Sequence, residues 1–508
     1  MNAAELLLGP AALERHGART ALICGDEQVS YSQLAHRVAR SSAAWVALGV
    51  KPGDRVLMLM RDTPEFASAF LGAVRTGAVA VALNNKASEA EYRHILADSG
   101  ARLALIEDVY ATARPDLTAE LTREGRIAVA GAAPGVPAWR DMLNAAQPAA
   151  PFAAEAETPA FLLYSSGTTG RPKGIVHVHR SFAGLGRAFQ TIGVVAGERV
   201  FSTSKFFFAY GLEHGLLGPL AQGVTSILYP DWPDAAAVID VVGRHEPAAM
   251  FSVPTLYRRL LAEPRARLAL LMRLRRFVAA GEPLSSQLLG QWRDAIGGEL
   301  LNLYGMSETF CACMMTPPGT SNGARTGLPF DGVELRVCDA QGREVTSGEP
   351  GVLWVRHPAQ ALGYANLAEK TREQFVDGWF CTRDVFSRDA QGHYVHQGRS
   401  DELLKIAGQW VQPGELEELA SLEADIAEAA CVLVPDADGL ERLALFVTAK
   451  GDPAAAQRAA AEACARALPR YKRPKWVRAV PELPRTATGK VQRFKLREIL
   501  ERELSRKD

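Results

Sequence analysis

From about residue 160 to 305 the chain alternates short apolar runs with longer segments whose apolar residues recur three and four positions apart. Residues 160–164, 224–229, 248–253, 274–280 and 300–303 are short, mostly apolar runs, the mark of strands largely buried in a sheet. Between two of them Val238, Ile239, Val241 and Val242 form the apolar face of a helix opened by Asp231-Trp232-Pro233-Asp234, with proline near the first helical position. Alternation of this kind predicts a largely parallel sheet covered by helices, an α/β fold. Beyond Gly351 the pattern turns to short strands, clearest at 351–355. The last hundred residues predict strand 431–434, strand 443–450, an alanine-rich helix 453–468 and strand 475–480, enough for a small α+β domain. The expected boundary falls at residue 401, with an N-terminal domain over 1–400 and a C-terminal domain over 401–508.

In a parallel sheet, ligands bind beyond the carboxyl ends of the strands, and those ends are chemically loaded here. After Tyr164 comes Ser165-Ser166-Gly167-Thr168-Thr169-Gly170-Arg171-Pro172-Lys173-Gly174. Its glycines let backbone N–H groups approach a polyanion, its hydroxyls donate, and Lys173 adds a positive charge. It differs from a Walker A loop, because Pro172 precedes the lysine and no Ser or Thr follows it. Pro254-Thr255 follows the strand ending at 253, Gly281-Glu282-Pro283 follows Ala280, and Tyr304-Gly305-Met306-Ser307-Glu308 follows Leu303. A phosphate loop, an aromatic face for a base and a carboxylate for a metal gathered on one sheet edge predict a site for a nucleotide with Mg²⁺.

Composition narrows the class. The chain has 508 residues, 48% of them hydrophobic, too many for a single core, so two to four domains or lobes are expected. Lys+Arg and Asp+Glu both number 57, and this balance argues against a nucleic-acid partner. The seven cysteines lack a C-x-x-C pair, which points to a reduced, cytoplasmic setting without a zinc site. Arg75 interrupts the apolar stretch 70–83 and Met1-Asn2-Ala3-Ala4-Glu5 carries no basic run, so neither a membrane span nor a signal peptide is expected.

A Gly-Lys pair in a basic tail, such as Gly489-Lys490, by itself reads as a solvated turn. Here it closes a series: the loop at 165–174, Tyr304-Gly305-x-Ser307-Glu308, Asp384 after Trp379-Phe380, Gly398-Arg399-x-Asp401, then Lys490. In this order and at these separations the chain resembles, over nearly its whole length, the adenylate-forming superfamily of acyl-CoA synthetases, peptide-synthetase adenylation domains and luciferases. Val29-Ser30-Tyr31-Ser32-Gln33-Leu34, residues 48–56 and Gly327-Leu328-Pro329 are weaker, structural marks of the same family.

The resemblance implies a large N-terminal domain of mostly parallel sheets with covering helices and a small β-barrel-like part, followed by a small mobile C-terminal domain. It implies that Ser165, Ser166, Gly167, Thr168, Thr169, Gly170 and Lys173 hold the ATP phosphates and that Glu308 holds Mg²⁺. Gly281, Glu282, Pro283, Tyr304, Gly305 and Ser307 would frame the nucleotide, with Asp384 on the ribose and Arg399 nearby. Lys490 would bridge the carboxylate and the α-phosphate, together with Glu308 and Thr168 the catalytic set. Asp401 would be a hinge, and Gly408 would line a pantetheine tunnel for CoA. The chain reads Cys381-Thr382-Arg383-Asp384 where the family has glycine before the aspartate, so the turn at Arg383 is expected to differ.

Phe206-Phe207-Phe208-Ala209-Tyr210-Gly211 resembles the corresponding stretch of benzoate-type aryl-CoA ligases. Phe208, Ala209, Tyr210, Gly211 and Cys311 are the expected acid-binding residues, with Ala209 and Gly211 leaving room for a flat ring. The small residues at 311–313 leave open a hydroxy-, amino- or halobenzoate, or a phenylpropenoate. The implied reaction converts an aromatic carboxylate, ATP and CoA into aryl-CoA, AMP and diphosphate. Two alternatives remain: loading of the aryl group onto a separate carrier protein, and medium-chain acyl-CoA synthesis. A monomer or homodimer is expected. His177, His179 and His214 read as structural.

Overall fold

The computed structural model describes residues 2–504 apart from 146, 149, 167–170, 324, 401–403, 407, 408, 412 and 486–490, and leaves out the side chains of 166, 404–406, 409, 410 and 471. The chain divides into two compact units, residues 1–335 with 354–381 and residues 336–353 with 382–508.

The first unit holds two sheets. One runs Leu328–Pro329, Met314–Met315, Leu300–Tyr304, Arg276–Ala279, Ala249–Ser252, Arg199–Ser202, Thr225–Leu228, Thr20–Cys24, Glu27–Ser30. Its six strands from Leu300–Tyr304 to Thr20–Cys24 are mutually parallel. The second runs Gly363–Tyr364, Pro172–Val178, Pro159–Ser166, Val79–Ala82, Arg55–Leu59, Leu103–Glu107, Ile127–Ala130, with its last five strands parallel. One apolar core joins Leu22 of the first sheet to Phe161 and Leu163 of the second through Trp45 and Phe70 of intervening helices.

Ser30 and Gln33, part of a family mark, turn out to be a helix start. The Ser30 hydroxyl accepts from the Gln33 N–H at 3.1 Å, and the Gln33 side chain accepts from the Ser30 N–H at 2.8 Å, capping helix Tyr31–Ala47 reciprocally. The helix expected to open with Pro233 begins later. Asp234 caps Ala235–His245 by accepting from the Ala237 N–H at 2.8 Å, and Pro233 lies before the cap. An aspartate with two free lone pairs satisfies an orphan N–H, which a preceding proline cannot.

In the second unit Ile426–Pro435, Glu441–Ala449 and Trp476–Ala479 form a sheet with one antiparallel and one parallel pair. Alternation along the strands splits its core. Cys431, Leu443, Leu445 and Val447 meet helices Pro413–Ser421 and Pro453–Ala467, whereas Val432, Val434, Ala444 and Phe446 meet Leu496 and Leu500 of helix Arg493–Leu504. No helix among the described residues is long and apolar enough to cross a membrane.

Candidate active site

The flanks of the phosphate loop are strands Pro159–Ser166 and Pro172–Val178, paired antiparallel with Ser165 opposite Lys173 and Tyr164 opposite Gly174. Helix Glu89–Ser99 braces both. Tyr164 donates its hydroxyl to Asp98 at 2.7 Å, and His94 Nε2 donates to the Pro172 carbonyl at 2.9 Å. A β-carbon at Gly174 would lie 3.0 Å from the Tyr164 ring, tighter than ordinary contact, so glycine lets the ring pack closely on the strand.

The expected anion-binding lysine and metal-binding carboxylate meet. Lys173 Nζ donates to Glu308 Oε1 at 2.8 Å and to the Tyr364 hydroxyl at 3.0 Å. The Tyr364 hydroxyl also lies 2.8 Å from Glu308 Oε1 and 2.7 Å from Gln374 Oε1, and the ammonium sits 4.1 Å from the Tyr364 ring centroid. Side-chain exposures of 14% for Lys173 and 12% for Glu308 mark a pair well shielded from water, unlike an ordinary surface ion pair. Among the described residues the contacts of the carboxylate fall on Oε1, which leaves its other oxygen as the one a hard cation would take, since Mg²⁺ is commonly held by one or two carboxylates plus phosphate oxygens.

Glu308 is positioned from below and beside. Its carbonyl accepts from the Ala361 N–H at 2.9 Å, and the Ser307 carbonyl accepts from His177 Nε2 at 2.8 Å. His177 stacks on Phe161 at 4.7 Å between ring centroids, and burial pushes its pKa down to about 3, so the ring is a neutral support as expected.

At the carboxyl edge of the other sheet, Thr255 and Gly281 lie just beyond two adjacent parallel strands, and Tyr304 ends the third. Gly281 has φ +83° with nothing closer than Val253 Cγ1 at 3.8 Å, so backbone conformation rather than crowding calls for glycine. The Glu282 carboxylate accepts from the Thr255 N–H at 2.9 Å and from its hydroxyl at 2.7 Å. It therefore anchors its loop to the first turn of helix Pro254–Leu261, where a negative charge is favoured. Pro283 is exposed and Tyr304 half-buried at its strand end.

The aromatic run divides. Phe206 and Phe207 are buried, Phe206 against Phe66 with centroids 5.5 Å apart, while Phe208 is half-buried beside Phe207. Ala209 is buried and starts a short helix, and the Tyr210 hydroxyl lies 3.2 Å from the Val278 carbonyl and 3.3 Å from that of Ser252. The reason for glycine at 211 differs from the expected one. A β-carbon there would stand 2.1 Å from the Lys205 carbonyl oxygen, so the glycine admits the returning chain rather than a ligand. The Cys311 thiol is buried, 3.8 Å from the Ser181 carbonyl, and burial raises its pKa.

In the second unit Asp384 and Arg399 face each other across an antiparallel pair, with Arg399 donating to Asp384 Oδ1 at 3.4 Å and His396 at 3.9 Å from the same oxygen. Arg383, where the family has glycine, adopts φ +61°. The turn thus keeps a left-handed shape that costs a side-chain-bearing residue roughly 1–2 kcal/mol. Gly167, Thr168, Thr169, Gly170, Asp401, Gly408 and Lys490 lie outside the described residues, as does the side chain of Ser166. Tyr364 and Gln374 were not singled out in the sequence, because nothing links a tyrosine 191 positions away to Lys173 before the strand Gly363–Tyr364 pairs with Pro172–Val178.

The family described as AMP-binding enzyme matches residues 10–365, and that described as AMP-binding enzyme C-terminal domain matches residues 415–490. A 3-hydroxybenzoate--CoA/4-hydroxybenzoate--CoA ligase of Thauera aromatica is 40% identical, covering 99% of this chain and 98% of its own length. A benzoate--CoA ligase of the same organism is 36% identical over 98% of this chain and 95% of its own. Among solved structures, a benzoate CoA ligase from Burkholderia xenovorans LB400 is similar with a TM-score of 0.88 at 33% identity, over 98% of this chain and 100% of that one. An anthranilate CoA ligase in complex with anthranoyl-AMP has a TM-score of 0.89 at 31% identity, over 99% and 98%.

Proposed function

The chain belongs to the AMP-binding enzymes, and from that premise we propose that it is an ATP-dependent aryl-CoA ligase acting on benzoate or a substituted benzoate through an aryl-adenylate. The observation that carries this reading is the shielded Lys173–Glu308 pair beside the phosphate-loop hairpin, in a chain alignable end to end with hydroxybenzoate and benzoate CoA ligases.

In the first step a carboxylate oxygen of the acid attacks the α-phosphorus, the α–β phosphoanhydride bond breaks, and diphosphate leaves. Two anions must meet, so the barrier is largely electrostatic. Lys173 leaves its carboxylate partner for the β- and γ-phosphates, and the hydroxyls and N–H groups of 165–170 cradle the same oxygens. Glu308 would hold Mg²⁺, whose charge would offset that of the departing diphosphate. Lys490 lies against the acid carboxylate and the α-phosphate, where a cation favours the transition state over the separated anions. Asp384 accepts from the ribose hydroxyls with Arg399 beside it, while Gly281, Glu282, Pro283 and Tyr304 frame the adenine.

In the second step the CoA thiol, as thiolate, attacks the aryl carbonyl; the new C–S bond replaces the mixed anhydride and AMP leaves. Residues 401–508 move as a domain, hinged at Asp401, so that Lys490 withdraws and Gly408 lets the pantetheine approach. Phe208, Ala209 and Tyr210 line the ring site.

A diphosphate-release screen over benzoates, cinnamates and aliphatic acids tests the reading, with free CoA and carrier proteins compared as acceptors. Turnover is expected with benzoates and CoA. Strong turnover of medium-chain acids with none of benzoates would overturn the aryl assignment, and thioester formed only on a carrier protein would overturn the acceptor.

A further inference from the structure

We propose that Glu213 is a positioning residue for the acid, fixing with His357 the peptide of Ala312 and thereby the wall that follows the metal-binding Glu308. The inference rests on the aryl-ligase reading above.

Ala312 is buried, yet neither its N–H nor its carbonyl joins a strand ladder. Its N–H donates to Glu213 Oε2 at 3.1 Å, and its carbonyl accepts from His357 Nε2 at 3.3 Å. His357 is set in the donating tautomer because its Nδ1 accepts from the Ala359 N–H at 2.9 Å. Two ionisable side chains from separate segments, both buried, thus hold the N–H and the carbonyl of one residue, in the two peptides that flank its α-carbon. Taking a carboxyl out of water for this is expensive, and burial raises the Glu213 pKa to about 8 despite help from the Ala312 N–H, the Cys311 thiol and Arg187.

The residue held in this way stands four positions after Glu308. The turn from Glu308 to Cys313 passes through Phe310 at φ +58°, and the Thr309 hydroxyl ties back to the Cys311 carbonyl at 3.0 Å. The Cys313 N–H donates to the Tyr304 carbonyl at 2.8 Å. A β-carbon at Gly305 would lie 3.0 Å from Ala312 Cα, so Ala312 is packed directly on the Tyr304-Gly305 turn. Glu213 comes from a separate segment. It opens a wide π-helical turn, Glu213–Leu217, directly after the helix Ala209–Leu212, and its own carbonyl accepts from the Gly218 N–H. Such turns are inserted in helices most often at functional sites. Glu213 is therefore a strap between the segment carrying Phe208–Tyr210 and the segment carrying Glu308 and Cys311.

The test compares E213A and E213Q with the parent protein in diphosphate release, measuring KM for ATP and kcat/KM across benzoate and its hydroxy- and amino-substituted forms. E213A is expected to raise KM for the acid about tenfold and to change the ranking of ring substituents about fivefold, with KM for ATP within about twofold. E213Q, whose amide oxygen can still accept from Ala312, should recover to within about threefold of the parent. A folded E213A with unchanged acid KM and ranking, or one no worse than E213Q, overturns the proposal. If E213A does not fold, H357Q is judged by the same ratios. A parent protein inactive on every aromatic acid overturns the function instead, and Glu213 is then judged over the acids the parent accepts.

Discussion

Replacing Glu308 by glutamine keeps the shape of the side chain and removes its charge. At 2.8 Å the Lys173–Glu308 attraction amounts to about 6 kcal/mol at an effective dielectric constant of 20, before the cost of desolvating both groups. That cost cancels most of it, and the amide oxygen still accepts from Lys173, so a stability loss of about 1–2 kcal/mol is expected rather than the roughly 3–5 of a fully buried charge left alone. The effect on chemistry is larger. Loss of one preorganised charge at the departing diphosphate typically costs about 3–4 kcal/mol, a hundred- to thousandfold in rate. Acid-dependent exchange of labelled diphosphate into ATP reads the first step alone, and addition of chemically made aryl-adenylate with CoA reads the second. E308Q should lose the exchange by at least about a hundredfold while keeping thioester formation from the adenylate within about threefold. Exchange within threefold of the parent would refute the assignment, and equal loss of both steps would reduce Glu308 to a structural residue.

Y364F retains the ring over Lys173 and removes the hydroxyl shared with Glu308 and Gln374. The Mg²⁺ concentration for half-maximal exchange should rise about three- to tenfold, with melting temperature little changed; an unaltered Mg²⁺ titration contradicts the role. R383G relieves a left-handed arginine at a cost in unfolded-chain entropy, for a net gain of about 0.5 kcal/mol read as a small rise in the urea midpoint. A clear fall would mean that the arginine side chain outweighs the turn. Acid sensitivity follows from burial. His177, His214 and His357 are held down to about 3 and His179 to about 4, so unfolding takes up protons below the ordinary histidine value of 6.5. Glu213, raised to about 8, and Asp62, raised to about 6, release protons on unfolding and oppose them. Between pH 5 and 6 roughly two more protons bind the unfolded chain, so stability should rise with pH by about 2–3 kcal/mol per unit. A flat or falling urea midpoint over that interval contradicts the burial of these rings.

The strands were legible because 249–252, 276–279 and 300–304 are apolar but for one residue each, and the few residues beyond each carboxyl end could be read for their chemistry. Pairings decided at long range were not legible. Tyr364 reaches Lys173 only because a two-residue strand lands on the edge of the second sheet, and a pair that short leaves no periodic trace. Gly211 looked like space for a ring, but its smallness answers to the Lys205 carbonyl, a contact invisible without the backbone path. Arg383 looked like a broken turn, yet the backbone keeps the left-handed shape against the residue's preference.

The central claim is that the acid is activated as its adenylate. Benzoate carrying ¹⁸O in both carboxylate oxygens, turned over with ATP and CoA, tests it by mass spectrometry of the products. One ¹⁸O is expected in AMP and none in diphosphate; label in inorganic phosphate with ADP as co-product, or none in AMP, would rule out the adenylate route.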